Sequence, residues 1–152
     1  MTLATVADAM IRAPKVCGPA TTVAQVRDQF RDDHVHAVLI VAGGILLSIV
    51  ERPDLDAVPA HLPARRVGRR YGRTVSPDAD LDATRRAMTG ARRRRLAVVD
   101  ERGRLLGLLC LKRTGTGFCS DADVRARADE RRAAAATAPT TPARVRSDRA
   151  RT

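Results

Sequence analysis

The chain contains no tryptophan, one tyrosine and two phenylalanines. Its core must therefore be assembled from Val, Leu, Ile and Ala, and an aromatic platform for stacking single-stranded nucleic acid is disfavoured. No apolar run approaches the roughly 20 residues that cross a membrane, and Met1–Met10 lacks the long apolar region of a secretory signal. Three cysteines (Cys17, Cys110, Cys119) make an odd count with no C-x-x-C pair, so a cytoplasmic protein with reduced thiols is expected. His34, His36 and His61 do not fall at metal-ligand spacings with these cysteines, so no metal is expected. No Ser-His-Asp or Cys-His pattern stands out, and an enzyme is not expected. Thr114-Gly115-Thr116-Gly117 lacks the Gly-Lys-Ser/Thr of a P-loop and reads as a connecting loop.

Charge is abundant instead. The formal net charge is +11, and lysine occurs only at 15 and 112, so almost all of the 28 basic residues are arginine. Residues 125–152 hold eight Arg against three acids, a net +5, which leaves +6 for the preceding 124 residues. Much of the excess thus lies in the tail. Arg92–Arg95 is a basic run without interleaved aromatics. A nucleic-acid accessory protein is kept only as an alternative, on charge alone.

The chain also repeats itself, the feature to look for first in any sequence. Pro19-Ala20-Thr21-Thr22-Val23 returns 58 residues later as Pro77-Asp78-Ala79-Asp80-Leu81. Val38-Leu39-Ile40-Val41 returns as Leu96-Ala97-Val98-Val99. After a turn one residue longer, Leu46–Val50 returns at offset 59 as Leu105–Leu109. Each copy is about 60 residues, marginal for a core of its own, so the halves are expected to share one.

In the first copy, a lead-in helix is predicted over Thr5–Met10, then an extended pair Val16-Cys17. A capping box at Thr22 and Gln25 starts a helix with Val23, Val26 and Phe30 on one face; its end is undefined. Strands follow at 36–42 and 45–50 around Gly43-Gly44, then a helix over Arg52–Val58 opened by Pro53. The second copy predicts a lead-in over Pro63–Arg70, an extended pair Thr74-Val75, a helix Asp80–Thr89 stopped by Gly90, strands 95–99 and 104–109, and a helix from about Ser120. Ala133–Ala136 can extend that helix. The segment 137–152 is expected to be disordered.

Val6-Ala7-Asp8-Ala9-Met10, Leu96-Ala97-Val98-Val99-Asp100 and Leu105-Leu106-Gly107-Leu108-Leu109, in this order and in duplicate, resemble a tandem pair of cystathionine β-synthase (CBS) domains over about residues 4–128. The resemblance implies an α/β fold: two tandem β-α-β-β-α repeats packed into one pseudo-two-fold module, plus a flexible C-terminal tail. It divides the chain into 4–60 (repeat one), 61–128 (repeat two) and 129–152 (tail). It also implies a regulatory module whose inter-repeat cleft takes an adenosyl ligand (AMP, ADP, ATP or S-adenosylmethionine), without a permanent cofactor. A homodimer and an unidentified protein partner are expected, with no membrane and no nucleic acid.

The family's Gly-h-x-Ser/Thr-x-x-Asp motif maps onto Ser48–Asp54, where Asp54 matches the ribose carboxylate, Ser48 replaces Gly and Glu51 replaces the hydroxyl. A carboxylate at 51 repels a phosphate. In repeat two, Gly107 is kept, but Cys110 replaces the hydroxyl and Arg113 the carboxylate. Lys112 and Arg113 can attract phosphate instead. Val16, Cys17 and Gly18 match the segment flanking the base, as Val75 and Ser76 do in repeat two. His36 and Ala37 match the entrance to the next strand, with Arg94 and Arg95 at the corresponding place. The halves are therefore unequal: one asymmetric site, or a ligand-free dimerisation or scaffold module, is the expectation.

Overall fold

The local signals act where the sequence places them. A computed structural model describes residues 3–137. In helix α2 (Val23–Gln29) the Thr22 hydroxyl accepts from the Gln25 N–H at 3.2 Å, and the Gln25 side-chain oxygen accepts from the Thr22 N–H at 2.8 Å. Two of the helix's orphan donors are thus satisfied. Val23, Val26 and Phe30 are buried together. The undefined end of this helix is closed from 22 residues away. Arg52 donates to the carbonyls of Phe30 (2.7 Å), Asp32 (3.2 Å) and Val35 (2.8 Å), and its guanidinium lies 4.8 Å from the Phe30 ring centroid. Helix α3 (Leu81–Gly90) is capped by Asp80, which accepts from the Ala83 N–H at 2.8 Å. Gly90 is its last residue, not its stop. The stop is Arg92, which takes the left-handed conformation (φ 55°) usually left to glycine.

Three predicted helices are shorter than expected. The first lead-in is helix α1 (Val6–Ala9), the second only a 3-10 turn, Ala64–Arg66. The helix expected over Arg52–Val58 is a 3-10 turn, Arg52–Leu55, ended by Ala57 at φ 59°. Helix α4 (Asp121–Thr137) forms a separate unit. It runs past residue 129, the expected start of the tail. Of the segment 137–152, expected to be disordered, Thr137 is the last residue of α4, and 138–152 lie outside the described residues.

Each repeat contributes one three-stranded sheet. Strands β1 (Val16–Cys17), β2 (Val38–Ala42) and β3 (Ile45–Val50) lie in chain order, the first pair parallel and the second antiparallel. Strands β4 (Thr74–Val75), β5 (Arg95–Val99) and β6 (Leu105–Cys110) repeat that arrangement. The register shifts at equivalent places, between Ile40 and Val41 and between Val98 and Val99. Gly43 and Gly44 both have positive φ, as a two-residue hairpin requires. The two hairpin ends then hold each other: Leu46 N donates to Gly103 O and Leu105 N to Gly44 O, both at 2.9 Å. Behind them Leu39, Leu46, Ile49 and Ala97 form a shared core between the sheets.

The lead-ins are exchanged. Val6, fully buried, belongs to the cluster of Met88, Val98 and Leu109 in repeat two. Its equivalent Ala64, fully buried too, belongs to the cluster of Val23, Ile40 and Val50 in repeat one. The backbone follows the same two-fold logic. Val6 N donates to Ala79 O and Ala64 N to Thr21 O; Leu81 N donates to Ala4 O and Val23 N to Leu62 O.

Two glycines make the exchange possible, one on each side. A Cβ on Gly107 in β6 would lie 2.6 Å from Ile11 O and 2.8 Å from the Met10 sulfur. In repeat one the bulk is reversed. The strand carries Ser48, and the lead-in supplies Gly68, where a Cβ would lie 2.4 Å from Ile49 O and 2.4 Å from Ser48 Oγ. Gly107→Ala and Gly68→Ala should each destabilise the fold by about 1–3 kcal/mol. Gly90→Ala, with no atom within 4 Å of the added carbon, should be neutral or stabilising by about 0.5–1 kcal/mol. Urea unfolding of the three variants checks this; equal midpoints would refute the close-approach account.

Candidate ligand-binding site

Asp54 sits in the 3-10 turn after β3, and its carboxylate is already engaged. Arg73, just ahead of β4 in repeat two, donates to Asp54 Oδ2 at 2.6 Å and Oδ1 at 3.1 Å, and to Ile49 O at 2.8 Å. The Glu51 N–H also donates to Asp54 Oδ2, at 2.8 Å. The Arg73 side chain is 4% exposed and that of Asp54 9%. Burial by itself pushes the Asp54 carboxyl up. The hydrogen bonds from Arg73 and the Glu51 N–H, with the charges of Arg73 and Arg69, outweigh it and hold the carboxyl below its usual range.

Glu51 extends the cluster. It lies 3.4 Å from Arg73 Nη2 and accepts from Arg93 Nη1 at 2.5 Å. Two arginines of repeat two therefore clamp the two motif carboxylates of repeat one. Glu51, which by itself would repel a phosphate, is here neutralised within the protein. Under the 58- and 59-residue offsets the counterparts of Arg73 and Asp54 are Lys15 and Arg113. Both are cations, so the latch has no counterpart in the other half.

The remaining candidates lie where the topology puts strand ends side by side. Val16 and Cys17 form β1 beside Leu39 and Ile40. Gly18 follows, exposed. The Cys17 sulfur accepts from Gln29 Nε2 at 3.1 Å. Val75 lies in β4 beside Val98, and the Ser76 hydroxyl accepts from the Asp78 N–H. Ala37 precedes β2 and packs on the inter-sheet core. Lys112 and Arg113 are exposed after β6. Arg94 donates to Leu111 O at 3.3 Å, and Arg95 opens β5 opposite Cys110.

His36 joins the two halves electrostatically. Burial first, then the charges of Arg95, Arg94, Arg52 and His34, hold its imidazole below the ordinary histidine value. Two open hollows of about 520 and 510 Å³ also mark the surface. Of the candidates only Cys17 borders either. No group of three or more metal-capable side chains occurs among the described residues, and no described helix is long and apolar enough to cross a membrane.

Sequence reasoning missed Arg73 and Arg93. Arg73 is one arginine among many, but Lys15 stands at the same place before β1, and that paired cation was the available signal.

The family model described as CBS domain matches the chain twice, over residues 6–60 and 66–113. The fold is similar to that of an acetoin utilization protein from Vibrio cholerae, with 21% identity and a TM-score of 0.61 over 90% of this chain and 98% of that one. It is similar to the protein CBSX2 in complex with AMP (22% identity, TM-score 0.61, 84% and 98% covered). It is also similar to a CBS domain pair in complex with 5′-methylthioadenosine and S-adenosyl-L-methionine (15% identity, TM-score 0.56, 86% and 99% covered). Identities this low speak for the fold alone. No curated protein sequence matches the chain.

Removing one side of the latch should be costly. Arg73→Met leaves Asp54 sequestered without its guanidinium and should cost about 3 kcal/mol in urea unfolding. Arg73→Met with Asp54→Leu should recover most of that loss, because no charge is then stranded. Purely additive losses would refute the coupling.

Proposed function

Because the chain belongs to the CBS domain family, we propose that its inter-repeat junction is a regulatory site for an adenine nucleotide, with the phosphates on the cationic side. The observation that carries this reading is that Arg94, which donates to Leu111 O at 3.3 Å, and Arg95, opposite Cys110, lie beside the end of β6, where the exposed Lys112 and Arg113 follow. A guanidinium pair can take a phosphate bidentately. Adenosyl ligands in complexes of similar fold support the ligand class. Since Glu51 is held by Arg73 and Arg93, nothing there favours the cationic S-adenosylmethionine over a nucleotide. Val16, Cys17 and Gly18, or Val75 and Ser76, would flank the base. A ribose that used Asp54 would have to displace Arg73, so the reading keeps the latch closed. Two-fold homodimerisation and transfer of the signal to a protein partner belong to the same proposal.

The latch favours a second reading, a module that holds its fold without ligand. Calorimetric titration with AMP, ADP, ATP and S-adenosylmethionine separates the two. Saturable heat should rank ATP and ADP above AMP, and AMP above S-adenosylmethionine. Arg94→Ala with Arg95→Ala should weaken ATP at least about tenfold, while Asp54→Asn should change it less than about threefold. No heat from any ligand at millimolar concentration leaves the ligand-free module standing. Complete loss in a folded Asp54→Asn protein would place the ribose on Asp54 instead.

His36 adds a pH signature. Its folded pKa lies below the unfolded value of about 6.5. The unfolded chain therefore takes up the proton first, and stability falls as pH drops through that region. A bound anion opposes the Arg charges and raises the His36 pKa, so binding takes up a proton. ATP affinity should rise between pH 8 and pH 6, with a binding heat that depends on the buffer's ionisation heat. His36→Gln should lose the part of that dependence owed to the imidazole. An unchanged dependence in His36→Gln would remove His36 from the site.

A further inference from the structure

Cys110 ends β6 at the motif position where the family has a hydroxyl, and Cys119 lies nine residues on. The chain between them folds back as a small hairpin. Leu111 pairs antiparallel with Phe118, Lys112 N donates to Gly117 O at 2.8 Å, and Cys119 N donates to Cys110 O at 2.8 Å. This register sets Cys110 directly opposite Cys119, with both side chains on one face. Their sulfurs are 3.3 Å apart, as a hydrogen bond between thiols. Both residues are buried, at 3% and 6% exposure. Directly opposed antiparallel residues have Cα atoms roughly 4.5–5.5 Å apart, inside the roughly 4.4–6.8 Å range of disulfides. The bond therefore needs little backbone movement.

The loop so enclosed carries two cations of the proposed site, Lys112 and Arg113, both exposed. Arg85 reaches its backbone at Gly115 O, at 3.4 Å. Packing of two small apolar side chains would explain the burial. It does not require two thiols at opposed positions.

We propose that Cys110 and Cys119 are a redox-sensitive pair whose disulfide clamps the 112–118 loop. With hydrogen peroxide as oxidant, one thiolate attacks a peroxide oxygen. The O–O bond breaks, a sulfenic acid forms, and water leaves once the departing oxygen is protonated. The second thiolate attacks the sulfenic sulfur, the S–S bond forms and a second water leaves. With hydrogen peroxide, two thiols give one disulfide and two waters, and the two electrons go to the peroxide. Burial limits the rate to openings of the loop. Reduction by a thiol pool reverses the step. Bond formation does not depend on the nucleotide reading; only an effect on ligand affinity would rest on it.

Trypsin cuts after Lys112 and Arg113, between the two cysteines, which makes the test direct. The full chain is reduced, treated with hydrogen peroxide, alkylated in denaturant and digested. A Cys110–Cys119 linked peptide pair that separates on reduction is expected, at equal yield in Cys17→Ser and absent in a folded Cys119→Ser protein. In native digestion, cleavage after Arg113 should be about tenfold slower in the oxidised form. Peptides found separately alkylated or over-oxidised, or linked to Cys17 of another molecule, would overturn the pair. A linked pair with unchanged native cleavage would overturn the clamp.

Discussion

Everything in this fold rests on each repeat completing the other. A unit of about 60 residues is marginal for a core of its own. Here the missing piece arrives from the opposite half, with Val6 seated in repeat two and Ala64 in repeat one. Reciprocal backbone hydrogen bonds fix the exchange. The approach is so close that one partner at each crossing must lack a side chain: Gly107 on the strand in one case, Gly68 on the lead-in in the other. The retained family glycine and its apparent loss at Ser48 are thus two solutions to one steric problem.

The same exchange brings repeat-two arginines to repeat-one carboxylates. Arg73 reaches Asp54 because its segment lies against β3, where Ile49 and Arg69 hydrogen-bond in both directions. A position that resembles a ribose contact is thereby turned into an internal ion pair. Lys112 and Arg113, after β6, stay exposed. Arginine also does much of the local joinery. Arg52 closes helix α2, and Arg27 donates to Leu55 O and Val58 O at 2.8 Å each. Part of the basic excess therefore serves carbonyls and carboxylates of the chain itself.

Much of the architecture was legible. The Thr22 cap, the Gly43-Gly44 hairpin and the duplicated strand pairs depend on neighbouring residues, and local patterns report such dependence well. Three of the failures share one physical cause. The end of α2 is set by Arg52, the shortness of the second lead-in by its seat in the other repeat, and the state of Asp54 by Arg73. Each is decided by a residue distant in sequence. Arg92 is a different failure: a non-glycine residue took a left-handed stop that Gly90 was expected to supply.

The exchanged lead-ins also bear on how two such halves can come to differ. A lone unit of this design would satisfy its lead-in by pairing with an identical copy, and every position would then face its own likeness across the axis. An aspartate at one site would be an aspartate at both. Joining two units in one chain keeps the contacts and removes that constraint. Only then can Asp54 and Arg113, or Lys15 and Arg73, occupy mated positions with separate tasks. Symmetry supplies the scaffold, and covalent linkage is what permits it to be broken.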